Sequence, residues 1–462
     1  MYPINWIKSH YYDIPDAVLK FCGSIFYKIP RKYRYGKVFY ETTEFLKHNE
    51  HLSQQEINEM VDKLFINTVT HAYNHVPFYK KFYDKHGINI TSIKSISDID
   101  KLPFIDKQTL LKHTDEMIAD DIDKANLMYI TTSGSTGNPV GFYQPQEMTM
   151  IEWAYTLHIW GRVGYNPESS RLVLRGKKIR NQENCNWNYD PLRRELSCNN
   201  FDLNDDNIEL YISLIEKYKP EFIHGYMSAI LVIAKYIDLH KVKLTHKFKA
   251  ILATSENIIS EQRDYVEKIF DTRVFSFYGH SERLIIAGEC ETSHEYHVEP
   301  SYGYCEIINN SGKKSSSGEI VATGFLNYAM PLIRYRTGDI AVESDNKCNC
   351  HRKYNLIKEV TGRWHQDMLI NSDGAYVSLT ALNIHSNELD KIKRYKIIQD
   401  KEGIVTMNIL PIEAISQDDI KNIKATFEEK TRQKILFNIK IVDKIPLPKN
   451  GKYRIIEQNI KN

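Results

Sequence analysis

The sequence predicts an α/β protein: a large N-terminal domain of mainly parallel sheets with flanking helices, followed by a small α+β C-terminal domain. Three observations carry this expectation. From about residue 125 to 345 short apolar runs alternate with amphipathic stretches, the pattern of strand–helix–strand units. After about residue 365 the order changes to strand, strand, helix, strand. The 462 residues also exceed one ordinary domain.

The first hundred or so residues read as helical. Ser53-Gln54-Gln55-Glu56 is a capping-box pattern, and Ile57, Met60, Val61, Leu64 and Phe65 then recur on one face. Pro77 and Pro103 end the helical stretches. Arg171–Leu174, Phe222–His224, Ala250–Ala253 and Val274–Phe277 read as strands, with a helix over Met227–Leu239. Ligands of such sheets gather beyond the carboxyl ends of the strands. Tyr395–Gln399 and Ile404–Ile409 read as paired strands, Ser416 caps a helix carrying Ile420, Ile423 and Phe427, and Leu436–Val442 is a further strand. The expected divisions are 1–125 (helical part of the large domain), 126–364 (α/β core) and 365–462 (small domain).

Hydrophobic residues at 42% and charged residues at 26% fit a globular chain with a real core. The 61 basic and 59 acidic residues nearly cancel, which argues against nucleic acid as the main partner. No stretch approaches the roughly 20 apolar residues of a spanning helix. Ala17–Ile29 is broken by Lys20 and Lys28 and preceded by Asp13 and Asp16, so no secretion signal is read. Seven cysteines in so long a chain do not make a disulfide framework. A cytoplasmic protein is expected. The basic run Arg31, Lys32, Arg34, Lys37, interleaved with tyrosines, reads as a solvated face or a peripheral membrane contact.

Thr131-Thr132-Ser133-Gly134-Ser135-Thr136-Gly137 packs hydroxyls and glycines behind the apolar Met128-Tyr129-Ile130. Glycines let the backbone approach a ligand, and hydroxyls and amides donate to phosphate oxygens. The Gly-Lys-Ser/Thr ending of a Walker loop is missing. Alone, the segment reads equally well as a flexible connector. It has companions. Tyr278-Gly279-His280-Ser281-Glu282 brings an aromatic face, a hydroxyl and a carboxylate to the end of a strand, and Tyr335-Arg336-Thr337-Gly338-Asp339 adds a carboxylate suited to ribose hydroxyls. Gly362-Arg363 follows at the domain junction, and Pro448-Lys449-Asn450-Gly451-Lys452 sets a lysine on a glycine turn.

In that order these motifs, over residues 130 to 455, resemble the adenylate-forming superfamily of acyl-CoA synthetases, luciferases and peptide-synthetase adenylation domains. Within it the chain is most similar to the phenylacetate–coenzyme A ligase family with its CapK-type proteins of capsular polysaccharide loci. Ala72-Tyr73-Asn74-His75-Val76-Pro77-Phe78-Tyr79, Leu102-Pro103-Phe104-Ile105-Asp106-Lys107 and His224-Gly225-Tyr226-Met227-Ser228 carry that narrower likeness, with Met227 where the family has proline.

The resemblance implies roles. Thr132, Ser133, Gly134, Ser135, Thr136 and Gly137 would cradle the ATP phosphates, and Tyr278 with Gly279 would carry adenine. Ser281 would touch the α-phosphate and Glu282 would hold Mg²⁺. Asp339 would bind the ribose with Arg363 close by, Ser255 and Glu256 would line the nucleotide and acyl pocket, and Lys452 would be the adenylation lysine, bridging carboxylate and α-phosphate as charge develops. The implied reaction forms acyl-AMP and pyrophosphate. The C-terminal domain then swings about a hinge near His365–Asp367 for acyl transfer. Two departures stand out. The loop reads Asn138-Pro139-Val140 where many members have Pro-Lys, and the junction reads Gly362-Arg363-Trp364-His365-Gln366-Asp367, one residue longer than usual.

Cys290, His297, Cys348 and Cys350 make a C-x6-H followed by C-x-C, a donor set suited to tetrahedral structural zinc. The phenylacetate ligase group often carries such a set, which His297-Val298-Glu299 and Cys348-Asn349-Cys350 match. The competing reading is unrelated surface residues, with His294 and His351 as spare ligands. Trp153, Tyr155, His158 and Trp160 line an acyl pocket or, as helical spacing favours, belong to the core. Arg162, Arg175, Lys177, Lys178 and Arg180 form a basic cluster that suits either CoA phosphates or solvent. Three functions remain open: a carboxylate–CoA ligase, a CapK-like ligase that joins the acid to an amine or hydroxyl of a sugar or polysaccharide precursor, and a catalytically silent binding protein. Retention of Glu282, Asp339 and Lys452 together argues against the third.

Overall fold

The structure is a computed structural model. It describes residues 14–30, 33–131, 141–175, 179, 185–200, 203–361, 368–374, 376–378, 389, 391–431, 433–446 and 453–460. The chain forms two compact units, one of Met1–Lys28, Glu168–Phe275 and Thr361–Asn462, the other of Ile29–Pro167 and Ser276–Val360.

In the second of these units the helices Lys37–Asn49, Gln54–His75 and Pro77–Lys85 follow in sequence. The capping box is present: the Glu56 amide donates to Ser53 Oγ at 3.3 Å and the Ser53 amide to Glu56 Oε2 at 2.8 Å. Each satisfies a backbone donor that a helix start leaves open. Ile57, Val61, Phe65, Val69 and Ala72 form the buried stripe. Met60 and Leu64 sit at its edge, only partly buried. Pro77 ends one helix and opens the next. Val76 before it is pushed to φ −112°, ψ 108°, and the ring occupies the first helical position, where no amide is needed.

The sheet of this unit runs in the order Gly303–Ile308, Ser317–Gly324, Tyr335–Glu343, Leu356–Thr361, Tyr296–Val298, Ile286–Gly288 and the end of Val274–Gly279. Its pairings with stated register are antiparallel. Parallel strands need crossovers of a dozen or more residues, usually helical, and the connections between Gly279 and Leu356 carry no helix. Among the described pairings with stated register, parallel strands lie in the other unit's core and in the C-terminal sheet, and an isolated parallel bridge joins Ile105 to Tyr335 in this one.

That core holds Ala250–Ala253, Phe222–Gly225, Arg171–Leu174 and Glu195–Cys198 as parallel neighbours, with Trp187–Asp190 antiparallel at the edge. Phe222–Gly225 and Ala250–Ala253 are buried throughout, as strands covered by helices on both faces must be. The covering helices are Asp205–Tyr218, Met227–Leu239 and Ser260–Phe270. Gly225 is there for space: a Cβ on it would lie 2.7 Å from the Leu174 carbonyl oxygen.

The C-terminal residues build a four-stranded sheet in the order Leu436–Ile441, Ile404–Pro411, Ile392–Lys401, Ile456–Gln458. Ser416 and Asp419 form a capping box for the helix Gln417–Lys430. That helix buries Ile423 and Phe427, with Phe427 stacked on Phe437 at 5.4 Å. The last strand, parallel to Ile392–Lys401, was not among the sequence expectations. Lys235 of the helix Met227–Leu239 donates to the Ile392 carbonyl at 2.7 Å, which ties the sheet to the core within the same unit. Among the described residues no helix is long and apolar enough to cross a membrane.

Candidate active site and metal centre

Thr132–Gly137, Gly362, Arg363, the hinge residues His365–Asp367 and Lys452 lie outside the described residues. The remaining candidates fall into two groups.

In one unit Tyr278 stands near the end of the strand Val274–Gly279, and its hydroxyl donates to Asp339 Oδ2 at 2.6 Å across 61 residues of sequence. Burial, and then the Asp339 carboxylate, push the phenol well above its ordinary pKa, so it stays a donor. Two motifs that the sequence presents separately are thus one assembly. Asp339 is placed by the irregular stretch of the strand before it: its amide donates to Thr337 Oγ1 at 3.1 Å, and the Gly338 amide to Glu319 Oε1 at 3.0 Å. Gly338 has φ +77°, a conformation side chains disfavour. Upstream, buried Arg334 is clamped by Glu306 at 2.7 Å, Asp100 at 2.8 Å and the Leu102 carbonyl at 2.7 Å. Arg334 is a positioning residue that sequence reasoning passed over.

Gly279 and Ser281 are exposed at the strand's end, while Glu282 is buried with His280 Nδ1 3.3 Å from its Oε2. Glu152 was also missed. It accepts from the Tyr302 hydroxyl and lies 3.9 Å from the Arg283 guanidinium. Burial raises its carboxyl above the usual range, against the pull of Arg283. Its signal was available: a lone acid in the apolar helix Met148–Gly161.

In the other unit Ser255 is exposed, with φ +66°. Glu256 accepts from the Ser228 amide at 2.9 Å, the Ser228 hydroxyl at 2.9 Å and the Tyr453 amide at 2.9 Å. The helix Met227–Leu239 has no capping side chain of its own, and Glu256 supplies the missing acceptor and a negative charge at its positive end. The same carboxylate holds the residue next to Lys452. Burial raises the Glu256 pKa although all three bonds oppose it. Arg394 lies over the Tyr453 ring at 5.3 Å.

The four expected metal donors come together. Cys290 Sγ is 3.4 Å from Cys348 Sγ, and Cys350 Sγ is 3.1 Å from His297 Nε2, with all four donor atoms within 4.8 Å of one another. The seven cysteines are free thiols. His297 is fully buried, which together with Arg162 and Arg352 lowers its pKa to about 4 and keeps the ring in the neutral, ligating form. The three-residue strand Tyr296–Val298 is held on both sides, His297 opposite Gly288 and opposite Leu356. His294 pairs with Glu289 at 3.1 Å, and neither it nor His351 belongs to the cluster.

Of the aromatic run, Tyr155 and Trp160 belong to the core, at 1% and 2% exposed with Tyr155 bonding Ser301 at 2.9 Å, while Trp153 and His158 are half-buried. The basic cluster is a correction. Arg162 is not a surface charge but is buried against Glu299 and donates to the Gly288 and Glu289 carbonyls. Arg175 faces His224 at 3.2 Å, and Lys177, Lys178 and Arg180 lie outside the described residues.

Comparison with known proteins places this geometry. Residues 369–459 match the family model of the CapK C-terminal domain. The chain is 26% identical over 465 residues to protein CapK of Staphylococcus aureus, covering 99% of this chain and 100% of that protein. It is 27% identical over 346 residues to the phenylacetate–coenzyme A ligase of Aromatoleum evansii, covering 70% and 73%. Among solved structures it is similar in fold to 2-hydroxyisobutyryl-CoA ligase in the postadenylation state with 2-HIB-AMP. There the TM-score is 0.71 at 15% identity, over 89% of this chain and 91% of that one.

Proposed function

We propose that this chain, a member of the adenylate-forming ligases in the group of phenylacetate–coenzyme A ligases and CapK, activates a carboxylic acid with ATP as acyl-AMP, releasing pyrophosphate, and passes the acyl group to a second nucleophile. The observation that carries this reading is the bond from the Tyr453 amide to Glu256, which seats the residue next to Lys452 on the Ser255–Glu256 loop. In this role Lys452 neutralises charge between carboxylate and α-phosphate, and its neighbour Tyr453 is already held by Glu256.

Tyr278 and Asp339 support the nucleotide end. The phenol's bond fixes the carboxylate's orientation, which suits a carboxylate that accepts from ribose hydroxyls while the ring carries adenine. Thr132–Gly137 cradles the β- and γ-phosphates, Ser281 donates to the α-phosphate, and Arg363 stands by the ribose. Mg²⁺, held by Glu282, would neutralise phosphate charge. Zinc suits Cys290, His297, Cys348 and Cys350 as a closed structural ion, since three thiols and a neutral imidazole leave no open position. Residues 365–462 serve as the mobile domain and 126–364 as the nucleotide- and acyl-binding core, behind the helical 1–125.

CoA is one acceptor. A second reading, which rests on the sequence resemblance to CapK-type proteins of capsular polysaccharide loci, has an amine or hydroxyl of a sugar or polysaccharide precursor take the acyl group. Free thiols and the need for ATP suit the cytoplasm. Val18, Phe21 and Ile25 are exposed on one face of the helix Asp16–Phe26, which supports peripheral contact with a membrane surface.

The test is pyrophosphate release from ATP across a panel of carboxylic acids, with and without CoA. Pyrophosphate with at least one acid, abolished in Lys452→Ala, is expected. No release with any acid would overturn the proposal, and release without CoA consumption selects the second reading.

A further inference from the structure

We propose a second metal site, unrelated to the cysteine cluster, in which His71, His75 and Asp121 bind a zinc ion with one coordination position left open. The histidines stand four residues apart on the helix Gln54–His75, on one face, their ring centroids 4.9 Å apart and their planes 31° from parallel. One donor atom from each of the three residues lies within 4.8 Å of the others. Asp121 Oδ2 is 3.9 Å from His71 Nδ1 and 3.7 Å from His75 Nδ1. Zinc–nitrogen and zinc–oxygen bonds of about 2.1 Å place tetrahedral donors about 3.4 Å apart, so the two Asp121–histidine separations need to close by only a few tenths of an ångström.

A second, independent observation concerns the proton on His71. Its Nε2 lies 2.9 Å from the Tyr328 carbonyl oxygen, which can only accept, so Nε2 carries the hydrogen. In the neutral ring Nδ1 is then a bare lone pair facing the Asp121 carboxylate. Two acceptors set against each other call for a cation, and a backbone carbonyl on the far nitrogen is the usual support of a metal-bound histidine. His75 Nδ1 also lies 3.3 Å from Asp120 Oδ1, a contact that zinc binding would replace. The loop is built to stay. The Asp120 amide donates to the His75 carbonyl at 2.8 Å and the Ala119 amide to the Ala329 carbonyl at 2.9 Å.

The test is calorimetric titration of the full-length protein with zinc chloride, after the cysteine cluster has been filled and its content measured. One further equivalent is expected, weakened at least tenfold in His75→Gln and in Asp121→Asn. His75 is 41% exposed at the end of its helix, so His75→Gln should melt like the wild type when the second site is empty. Cys290→Ser should keep this second equivalent. No second equivalent, or one that both variants retain at full strength, overturns the proposal. A melting temperature that falls in His75→Gln without a second equivalent marks the cluster as an ion pair only and overturns it equally.

Discussion

Glu256→Gln keeps the side chain's shape and removes one acceptor, and its consequence follows from three bonds. Oε1 accepts from the Ser228 hydroxyl and the Tyr453 amide, Oε2 from the Ser228 amide. Whichever way the new amide turns, its NH₂ meets a backbone N–H, and one of the two backbone bonds is lost. If the NH₂ replaces Oε2 it faces the first turn of the helix Met227–Leu239, whose amides need an acceptor; the cheaper choice is to face Tyr453 and let the Ser228 hydroxyl rotate to accept. A hydrogen bond to a charged acceptor contributes about 1.5–3 kcal/mol. If that bond seats Lys452 for adenylation, its loss slows pyrophosphate release in a single turnover by roughly 10- to 150-fold. Transfer from preformed acyl-AMP should change much less. Ser228→Ala, which removes one donor to the carboxylate but leaves the Tyr453 amide bond in place, should cost less than about tenfold in the same assay. Equal losses in both half-reactions, or a Ser228→Ala defect as large as that of Glu256→Gln, would refute the reasoning.

Other outcomes follow from packing and charge. Gly225→Ala sets a Cβ 2.7 Å from the Leu174 carbonyl oxygen, and overpacking of this kind costs about 1–3 kcal/mol, read as a lower urea midpoint at unchanged slope. Glu152 is held above its ordinary pKa of 4.5 by burial, so the folded protein binds that proton more tightly than the unfolded chain does. The associated stability is complete below about pH 4.5 and is lost as pH rises through the folded value. Glu152→Gln should therefore stabilise the protein at pH 8 relative to wild type, with the gain vanishing near pH 4.5; a loss of equal size at both pH values would count against the argument. Cys290→Ser should remove about one equivalent of zinc by elemental analysis and lower the melting temperature, and full metal content in the variant would exclude this cysteine as a ligand.

The sequence made some of this legible and hid the rest for identifiable reasons. Runs such as Ala250–Ala253 and the helix Met227–Leu239 announce themselves because buried strands read as continuous apolar stretches and helices as a repeating stripe. The shortest antiparallel strands were invisible. Strands as short as Ile286–Gly288 and Tyr296–Val298 hold too few residues for any period to register. The cysteine–histidine set could be found because softness of donor and spacing are properties of residues, whereas pairings are properties of the fold. Nothing in the chain links Tyr278 to Asp339, or Glu256 to Tyr453 across 197 positions. Glu256 stood in the sequence as a pocket-lining acid. In the structure both of its oxygens are engaged by Ser228 and Tyr453. Arg162 misled for the converse reason, since an arginine among basic neighbours looks solvated until Glu299 is found beside it.

The three-residue strand that carries His297 has one more consequence. A strand of that length has little hydrogen bonding with which to hold its alignment, and a slip by a single residue turns every side chain to the opposite face. Such a slip would present Tyr296 or Val298 to Cys290, Cys348 and Cys350, and neither can complete a tetrahedron of sulfur and nitrogen. The cluster thus tells the right alignment from its nearest errors by chemistry. An ion bound there would reward only the chain that has threaded itself correctly, a proofreading step built into assembly of the sheet.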